Sequence, residues 1–322
     1  MYLFLAFLAL LTERVFGYPD WVYRLIGHPV TWIGALISAL DERWNKEGDT
    51  PPHRRLWGIV ALAVVLAVAV SLSLVLESLM LFVPFGLILV VLVAASLPAQ
   101  QSLEQHVEAV AAALETGGLP AARHSVSMIV GRDPENLDSP AVCRAAIESL
   151  AENFSDGIVA PAFWLGVGGL AGGAAYKAVN TADSMIGHRT DRHEAFGWAS
   201  ARFDDLVNLP ASRLSGALFV AAACLVPGAS PARAIAAIRR DARYHRSPNA
   251  GWPEAAMAGA LGVALAGPRS YGGHMIDARF MGEGGRTDLS ASDIRRALRL
   301  ARVADALLIV IFGLAALAIW PA

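Results

Sequence analysis

The 322-residue sequence has little charge, few lysines and almost no cysteine. Charged residues make up 17% of it, against about 25% in ordinary soluble domains. Two cysteines, Cys143 and Cys224, are too few for a disulfide framework or a cysteine-based zinc site. The net charge of -2 excludes a strongly basic nucleic-acid binder as the default. Apolar residues make up 55%, and the mean hydropathy of +0.48 is typical of a membrane protein.

The short motifs of several common enzyme classes are also missing. Lys177, one of only two lysines, stands between Tyr176 and Ala178, so the sequence has no G-x-x-x-x-G-K-[ST] loop for nucleotide phosphates. It also lacks H-E-x-x-H, G-x-S-x-G and a G-x-G-x-x-G run that follows a strand. A nucleotide would therefore bind without a standard P-loop. A zinc site is not expected, because the eight histidines are scattered.

Long uncharged runs predict several membrane-spanning helices, since one crossing takes about 20 apolar residues. Only Glu77 separates the two longest runs, which predicts a tight helical hairpin there. Apolar residues elsewhere recur with a helical period, so we expect an all-α integral membrane protein with a single multi-pass domain over 1–322. The four predicted spans lie near 1–16, 57–76, 78–99 and 303–320.

Two further apolar runs, 157–176 and 214–232, are interrupted by glycine or proline. If both crossed, residues 177–213 would carry five basic side chains to the outside, against the positive-inside rule. Residues 227–302 contain 12 arginines and six acidic residues, which indicates the cytoplasmic side. We therefore expect these two runs to form buried or membrane-dipping helices. The polar portion 98–302, with the active site, is expected to face the cytoplasm from the inner membrane.

The first polar cluster lies in the segment ESLAENFSDG. Glu148, Glu152 and Asp156 are spaced by four, so a helix would stack them on one face. Like charges at this spacing repel by a few tenths of a kcal/mol, and such a face is either solvated or binds a cation. The segment continues into an apolar Gly/Pro run, where unpaired charge is costly, so both interpretations stay open. Asn153 and Ser155 are the neighbouring candidates for ligand binding.

The second polar cluster lies in the segment KAVNTADSMIGHR. Its Lys, Asn, Asp and Ser fall at i, i+3, i+6 and i+7, which places them on one helix face. This combination suits a phosphate with its Mg²⁺. The alternative is an ion pair of the aspartate with a nearby Lys or Arg that secures a helix end. The candidates are Lys177, Asn180, Asp183, Ser184 and Arg189.

The third cluster is built on adjacent carboxylates. Asp204 and Asp205 are followed by Asn208, a pattern similar to the metal-diphosphate motifs of membrane prenyltransferases. Asp205 and Asn208 would share a helix face, whereas Asp204 would point about 100° away. Arg202 and Arg213 flank the motif and suit either phosphate binding or ion pairs with these acids.

The fourth cluster joins an arginine run over 239–246 to the polar turn SPNAGWP. Arginine binds phosphate or carboxylate with two parallel hydrogen bonds, so the run is a candidate phosphate site. A positive-inside signal alone would explain the number of arginines but not the polar turn. The candidates are Arg243, His245, Ser247 and Asn249.

Four segments resemble the CobD/CbiB family, the adenosylcobinamide-phosphate synthases of cobalamin biosynthesis. The opening segments 17–19 and 28–34 are also similar to that family, and the resemblance covers nearly the whole chain in the expected order. Glu13 and Tyr18 stand where the family pattern has Asp, and Ala182 replaces a usual Leu. The four segments are ESLAENFSDGIVAP (148–161), YKAVNTADSMIG (176–187), FGWASARFDDLVNLPASR (196–213) and DARYHRSPNAGWPEAAMAGALG (241–262).

The resemblance implies a multi-pass membrane enzyme of the acid–amine ligase class. It would join adenosylcobyric acid to (R)-1-aminopropan-2-yl phosphate, ethanolamine phosphate or a related aminoalcohol phosphate, with ATP as cosubstrate and Mg²⁺ as cofactor. Expected partners are the corrinoid, the aminoalcohol phosphate, membrane lipid and other late cobalamin-assembly enzymes of the membrane, with no nucleic acid.

Combined with the polar clusters, the resemblance assigns three sets of residues. Catalysis is assigned to Glu148, Glu152, Asp156, Lys177 and His245. Metal binding is assigned to Glu152, Asp156, Asp183, Asp204 and Asp205. Substrate or phosphate binding is assigned to Asn153, Ser155, Asn180, Ser184, Arg189, Arg202, Asn208, Arg213, Arg243, Ser247 and Asn249.

Two other functions deserve comparison with the ligase. A non-catalytic membrane sensor, similar to a related family associated with β-lactamase induction, should lack some carboxylates of 148–156 or 204–205, and all are present. A Mg²⁺-dependent membrane prenyl- or phosphatidyltransferase should carry a second Asp-rich motif of matching spacing. The sequence has none.

Overall fold

In the computed structural model the chain is 75% helical, which confirms the all-α class. The structure describes residues 1–131, 134–267, 269–271, 274–276 and 279–319. The α-helices in these ranges are α1 Tyr2–Phe16, α2 Asp20–Ile26, α3 Pro29–Trp44, α4 Pro51–Leu81, α5 Gly86–Ala94, α6 Gln100–Thr116, α7 Gly118–Ser127, α8 Ser139–Phe154, α9 Ala160–Ile186, α10 Trp198–Val207, α11 Leu209–Ala223, α12 Pro231–Asp241, α13 Gly251–Leu261 and α14 Ala291–Ala318.

The chain folds into two compact units, each assembled from separate stretches of sequence. The first contains α1 to α5, α9, α10 and the end of α14, and the second contains α6 to α8, α11 to α13 and most of α14. The predicted single domain over the whole chain stays a prediction. The first unit consists of Met1–Ala99, Ala160–Asn208 and Phe312–Ala322, and the second of Gln100–Val159 and Leu209–Ile311.

Local sequence signals set several helix starts. α3 begins with Pro29 after His28, whose Nδ1 accepts a hydrogen bond of 3.2 Å from the Val30 amide. α8 follows Asp138, whose carboxylate accepts from the Ala141 amide at 2.8 Å. Such caps satisfy amides that have no partner inside the helix. Proline is favoured in a first turn because its missing N–H is not needed there, as in α4 with Pro51.

The core of the first unit lies where α3, α4, α9 and α10 pack together. Its buried side chains include Ile37 of α3, Leu62 of α4, Ile186 of α9 and the fully buried Phe196. Small residues let the helix backbones approach closely. At Gly58 of α4, an added Cβ would lie 1.9 Å from the carbonyl oxygen of Phe196.

An ion pair between a buried aspartate and a partly exposed arginine fixes the turn that precedes α10. Nε and Nη2 of Arg192 donate to Oδ2 of Asp41 at 2.9 and 2.7 Å. Asn45 donates to Oδ1 of Asp41 at 2.7 Å and to the Arg192 carbonyl at 2.8 Å. Because the Asp41 carboxylate accepts three hydrogen bonds and Asn45 also binds the Arg192 carbonyl, the turn over 187–197 is held firmly against α3.

In the second unit, α6, α7 and α13 pack on α8, while α11 and α12 pack on α13. The rings of Phe154 and Phe219 lie 4.7 Å apart between their centroids and are almost fully buried. Ion pairs join α6 to α14, including Nε of Arg295 with Oε1 of Glu108 at 2.9 Å. These pairs are partly exposed and contribute little each.

The segment after α13 forms short strands, although the sequence predicts none there. β1 (Leu265–Ala266) pairs antiparallel with β4 (Phe280–Met281), and β2 (Arg269–Tyr271) with β3 (His274–Ile276). The strands have two or three residues each, too few for an alternating pattern to be visible in the sequence.

The described residues contain three helical stretches long and apolar enough to cross a membrane, or five if two bent pairs each count as one span. The chain is therefore a multi-pass membrane protein. The predicted spans 57–76 and 303–320 lie largely within α4 and α14. The third stretch runs through α8 and α9, and the bent pairs are Tyr2–Phe16 with Trp21–Trp44 and Trp198–Val207 with Leu209–Ala223.

The prediction of a tight helical hairpin at Glu77 is wrong. α4 continues through Glu77 to Leu81, and the helix after the turn, Gly86–Ala94, has nine residues. Nine residues span about 14 Å, roughly half of the hydrocarbon thickness. Glutamate is a good helix former, so a single one does not end a helix.

The Gly-rich run 157–176 lies within the stretch Ser139–Ile186, half of whose most apolar window is buried inside the protein. Its helix is broken at Gly168 and at Gly169, which has a φ of +61° that glycine adopts readily. The Tyr2 ring packs against Gly169. The run 214–232 is divided between the end of α11 and the start of α12.

The close approach at Gly58 gives a test of the packing in the first unit. Gly58→Ala should lower the stability by about 1–3 kcal/mol, because the added methyl group forces α4 away from Phe196. The thermal midpoint in detergent micelles measures this loss. Gly48→Ala, with nothing within 4 Å of the new methyl group, is the control. Equal midpoints for the two variants would contradict the packing.

Candidate functional site

In the first unit, amide side chains hold a buried carboxylate between α9 and α10. Asp204 of α10 is 8% exposed. Its Oδ2 accepts a hydrogen bond of 2.9 Å from Nδ2 of Asn208, and its Oδ1 lies 3.5 Å from Nδ2 of Asn180 on α9. Oδ1 of Asn208 accepts from the Tyr176 hydroxyl at 2.9 Å. Asn208 is thus fully buried with both ends of its amide engaged, and it orients Asp204.

The surroundings of Asp204 are negative. The charges of Asp183 on α9 and of Asp205 both act on it, and no cationic side chain of the described residues forms an ion pair with it. Arg202, which is largely exposed, lies 3.5 Å from Asp205 between Nη1 and Oδ2. A buried carboxylate that stays ionised is costly without a cation. The oxygen-rich cluster suits a divalent ion such as Mg²⁺.

The helical spacing predicted for the second cluster is present, because α9 runs unbroken from Leu170 to Ile186. Lys177 is half-buried, and its charge acts on the ring of His28 at the start of α3. Ser184 donates its hydroxyl to the carbonyl of Asn180 at 2.9 Å. Arg189 lies exposed in the turn beyond the helix.

In the second unit, Glu148 of the first cluster is buried. Its Oε1 accepts a hydrogen bond of 2.9 Å from the amide of Ala266 in β1. Ala266 has a φ of +56°, which is unfavourable for a residue with a side chain. The contact gives Glu148 a positioning role for this strained residue. Its assigned catalytic role stays a prediction.

The rest of the first cluster lies where α8 changes into a π-helix, Ser155–Val159. Glu152 and Asn153 are exposed, and Asp156 is half-buried. Because a π-helix has a wider turn, Asp156 departs from the predicted stack at four-residue spacing. Ser155 is 1% exposed, and its hydroxyl has no hydrogen-bond partner among the described residues. Single π turns are frequent at functional sites.

The end of the third cluster contacts the fourth. Nη1 of Arg213 donates to Oδ1 of Asn249 at 2.8 Å, and the Ser212 hydroxyl donates to the same oxygen at 3.1 Å. The Arg213 guanidinium also lies 4.8 Å from the centroid of the Trp252 ring. The structure thus brings Arg213 and Asn249 together, as candidate binding residues of one site.

His245 is engaged at both ring nitrogens. Its Nδ1 accepts a hydrogen bond of 3.1 Å from the Ser247 amide, and its Nε2 lies 3.6 Å from Oε1 of Glu254. A neutral ring that accepts at Nδ1 carries its proton on Nε2. His245 therefore presents a proton toward Glu254. The Ser247 hydroxyl accepts from the amides of Asn249 and Ala250, both at 3.2 Å, and shapes the turn.

The arginines of the fourth cluster divide into two groups. Arg239 and Arg243 line a cavity of about 370 Å³ together with Trp252 and apolar side chains of α12. Arg240 is instead committed to Asp241, with contacts of 2.6 Å from Nε to Oδ1 and 2.8 Å from Nη2 to Oδ2. The cavity is therefore a place where arginine side chains of this unit can meet a ligand.

Tyr176 and Glu254 were missed as site residues by the sequence analysis. Tyr176 directly precedes Lys177 and completes the hydrogen bonds around Asp204. Glu254 is 3% exposed and faces His245. Both lie inside the segments that resemble the CobD/CbiB family, and this resemblance could have indicated them as site residues. Their partners are distant in sequence or across a turn, and spacing alone does not reveal such contacts.

Within the described part of the chain, no three or more His, Cys, Asp or Glu side chains are arranged to hold a metal ion. Mg²⁺ is compatible with this result, because it binds through one or two carboxylates, substrate phosphates and water. The five assigned metal ligands are divided between the units, with Glu152 and Asp156 in the second. Their metal binding stays a prediction.

These features define a class: a helical multi-pass membrane protein with an acidic site in one unit and an arginine-lined cavity in the other. The family model described as CobD/Cbib protein matches residues 6–301. The chain belongs to the CobD/CbiB family.

Two named relatives show how far the similarity extends. The chain is 51% identical over 312 residues to cobalamin biosynthesis protein CobD of Rhizobium meliloti (strain 1021), covering 96% of this chain and 95% of the relative. It is 52% identical over 309 residues to cobalamin biosynthesis protein CobD of Rhodobacter capsulatus, covering 94% of each. No solved structure matches the chain.

Asp241 gives a test of electrostatics in the second unit. Burial alone would raise its pKa, but hydrogen bonds from Arg240 and from the Gly282 and Glu283 amides, with the Arg240 charge, hold the pKa below its ordinary value of 3.8. A lowered pKa contributes stability that is fully present above pH 3.8 and is lost as the pH falls through the folded-state value.

Asp241→Asn should therefore lower the stability at pH 7 by about 2 kcal/mol, through weaker hydrogen bonds to Arg240 and Gly282. The deficit should shrink as the pH falls below 3.8, where the native carboxylate is also neutralised. Thermal midpoints at several pH values measure both effects, with the exposed Asp288→Asn as control. A deficit that does not depend on pH would contradict the ionic role of Asp241.

Proposed function

We propose that the protein is a cobalamin-biosynthesis enzyme, an adenosylcobinamide-phosphate synthase. It would join adenosylcobyric acid to (R)-1-aminopropan-2-yl phosphate, or to ethanolamine phosphate, in an amide-forming reaction that uses ATP and Mg²⁺. The family and the names of two relatives about half identical over nearly their full length support the pathway. The observation that carries the chemistry is the buried Asp204 with two further carboxylates and no cationic partner among the described residues.

The reaction needs an activated acid. A free carboxylate is a poor acyl donor, so the γ-phosphoryl group of ATP is transferred to it, giving an acyl phosphate and ADP. The amine of the aminoalcohol phosphate then attacks the acyl carbon. A C–N bond forms, the C–O bond to phosphate breaks, and inorganic phosphate leaves. The amine loses a proton, which a carboxylate can accept as general base.

The acidic site of the first unit is the proposed place for the ATP phosphates. Asp204, in the negative surroundings made by Asp183 and Asp205, would bind Mg²⁺ together with the ATP phosphates and water. When bound, the ion would neutralise charge on the transferring phosphoryl group. Asn208 and Tyr176 keep the Asp204 carboxylate in one orientation. Lys177 would stabilise negative charge on the phosphates as a single positive charge.

The arginine-lined cavity of the second unit is the proposed place for the phosphate of the aminoalcohol. Arg239 and Arg243 are positioned on its wall, and Arg243 is exposed. Guanidinium groups bind phosphate with paired hydrogen bonds. Glu152 and Asp156, where α8 changes into the π-helix, are the proposed general bases. The two sites are proposed to act from the cytoplasmic side of the inner membrane, where ATP is available.

The direct test is turnover. Purified protein incubated with adenosylcobyric acid, aminopropanol phosphate and Mg-ATP should yield the amide, detected by its mass. Asp204→Asn should lower kcat by about 100-fold or more, because an electrostatic contribution to phosphoryl transfer is removed. Glu47→Gln, an exposed carboxylate of the same unit, is the control. No product from the native protein would refute the function, and near-normal turnover of Asp204→Asn at limiting Mg²⁺ would refute the role of Asp204.

Arg243 gives a second test, directed at the aminoalcohol. Arg243→Ala should raise the KM for aminopropanol phosphate by about tenfold or more and leave kcat nearly unchanged, because a charged hydrogen-bond donor is lost from the binding cavity. Arg243→Lys should recover part of the affinity. The control is Arg246→Ala, an exposed arginine that does not line the cavity. A change only in the KM for the corrinoid would show that the phosphate assignment is wrong.

A further inference from the structure

A second cavity, of about 530 Å³, lies in the first unit and is lined by none of the assigned site residues. Its walls are the first turns of α4 and the segment 191–198. α4 is long and apolar enough to cross a membrane. The cavity therefore lies at one end of a spanning helix, where lipid headgroups meet protein.

The cavity walls are held in place by contacts behind them. Arg54 donates from Nε to Oδ1 of Asn45 at 2.7 Å and from Nη1 to the carbonyl of Asp191 at 3.4 Å. The absence of a side chain at Gly58 allows the Phe196 carbonyl to lie directly against α4. A ligand would meet a preformed surface, which lowers the entropy cost of binding.

Charges of both signs line this cavity without neutralising each other. The Arg55 guanidinium lies 3.4 Å from the centroid of the Trp198 ring and makes no hydrogen bond or ion pair with the described residues. The carboxylates of Asp191 and Glu194 are also exposed, and neither makes a hydrogen bond or ion pair within the described part of the chain. A ligand with one anionic and one cationic end matches this arrangement.

Apolar side chains complete the lining. Leu56 and Ile59, one turn apart on α4, are 56% and 45% exposed. Further exposed apolar residues follow on the same face of the helix, including Leu74 and Leu81 at about 100° of rotation per residue. They provide a surface for a hydrocarbon chain that continues from the cavity into the bilayer.

We propose that this cavity binds the zwitterionic headgroup of an aminophospholipid of the phosphatidylethanolamine class. Arg55 binds the phosphate, Asp191 and Glu194 bind the ammonium group, and an acyl chain lies along Leu56 and Ile59. A primary ammonium donates three hydrogen bonds to carboxylates, whereas a choline headgroup donates none. A glycerol headgroup has no cation for the two acids. The charges of the cavity therefore favour phosphatidylethanolamine over both of these lipids.

Native mass spectrometry of the full-length protein tests this proposal. The protein is equilibrated in detergent with equal amounts of phosphatidylethanolamine, phosphatidylglycerol and phosphatidylcholine. The native protein should retain mainly phosphatidylethanolamine. Arg55→Ala should lower this retention by about fivefold, the upper end for an exposed ionic contact, and Arg55→Lys should restore part of it. Arg43→Ala, an exposed arginine on α3, should have no effect.

A double variant separates the two ends of the headgroup. Asp191→Asn with Glu194→Gln should abolish the preference for phosphatidylethanolamine over phosphatidylglycerol while some lipid is still retained. The altered side chains are exposed, so circular dichroism should show unchanged helix content. Equal retention of the three lipids by the native protein, or no effect of Arg55→Ala, would overturn the proposal. Displacement of the lipid by free ethanolamine phosphate would overturn a lipid as occupant and assign the cavity to a soluble zwitterion.

Discussion

The first unit is arranged around a carboxylate that lies out of water without a cation. Asp204 is fixed by amide hydrogen bonds from Asn208 and Asn180, while Asp183 and Asp205 add negative charge. In such a place an ionised carboxylate either takes up a proton or pairs with a cation. The hydrogen bonds from the two amides hold the Asp204 carboxylate in one orientation. A fixed orientation is expected where a metal–phosphate complex must bind in one geometry.

Two other buried aspartates of the described residues are paired with arginine, and this separates them from the candidate site. Asp41 is satisfied by Arg192 and Asn45, and Asp241 by Arg240 and the Gly282 amide. Each of these aspartates has a cationic partner and holds a turn against a helix. The same residue type thus serves two purposes. The presence or absence of a partner, rather than burial, distinguishes an anchoring carboxylate from one available to a ligand.

The sequence predicts the helical membrane class well, because apolar runs and helical periodicity depend only on local composition. The prediction is wrong at Glu77, where a charged residue was taken as the end of a helix. The actual turn lies further along the chain and contains Pro84. Helical spacing also places the polar residues of α9 on one face. It does not reveal that Tyr176 contacts Asn208, 32 residues away, or that Glu254 faces His245. Such pairs depend on how helices pack, which periodicity leaves undetermined.

Direct binding of a divalent ion to the acidic site tests the central claim, that Asp204 receives a metal–phosphate complex. Mn²⁺, a spectroscopic substitute for Mg²⁺, can be titrated into the native protein in nanodiscs with ATP present, and the bound ion followed by electron paramagnetic resonance. The account predicts a saturable site that requires ATP and is lost in Asp204→Asn. Equal Mn²⁺ affinity in the native protein and in Asp204→Asn would contradict it.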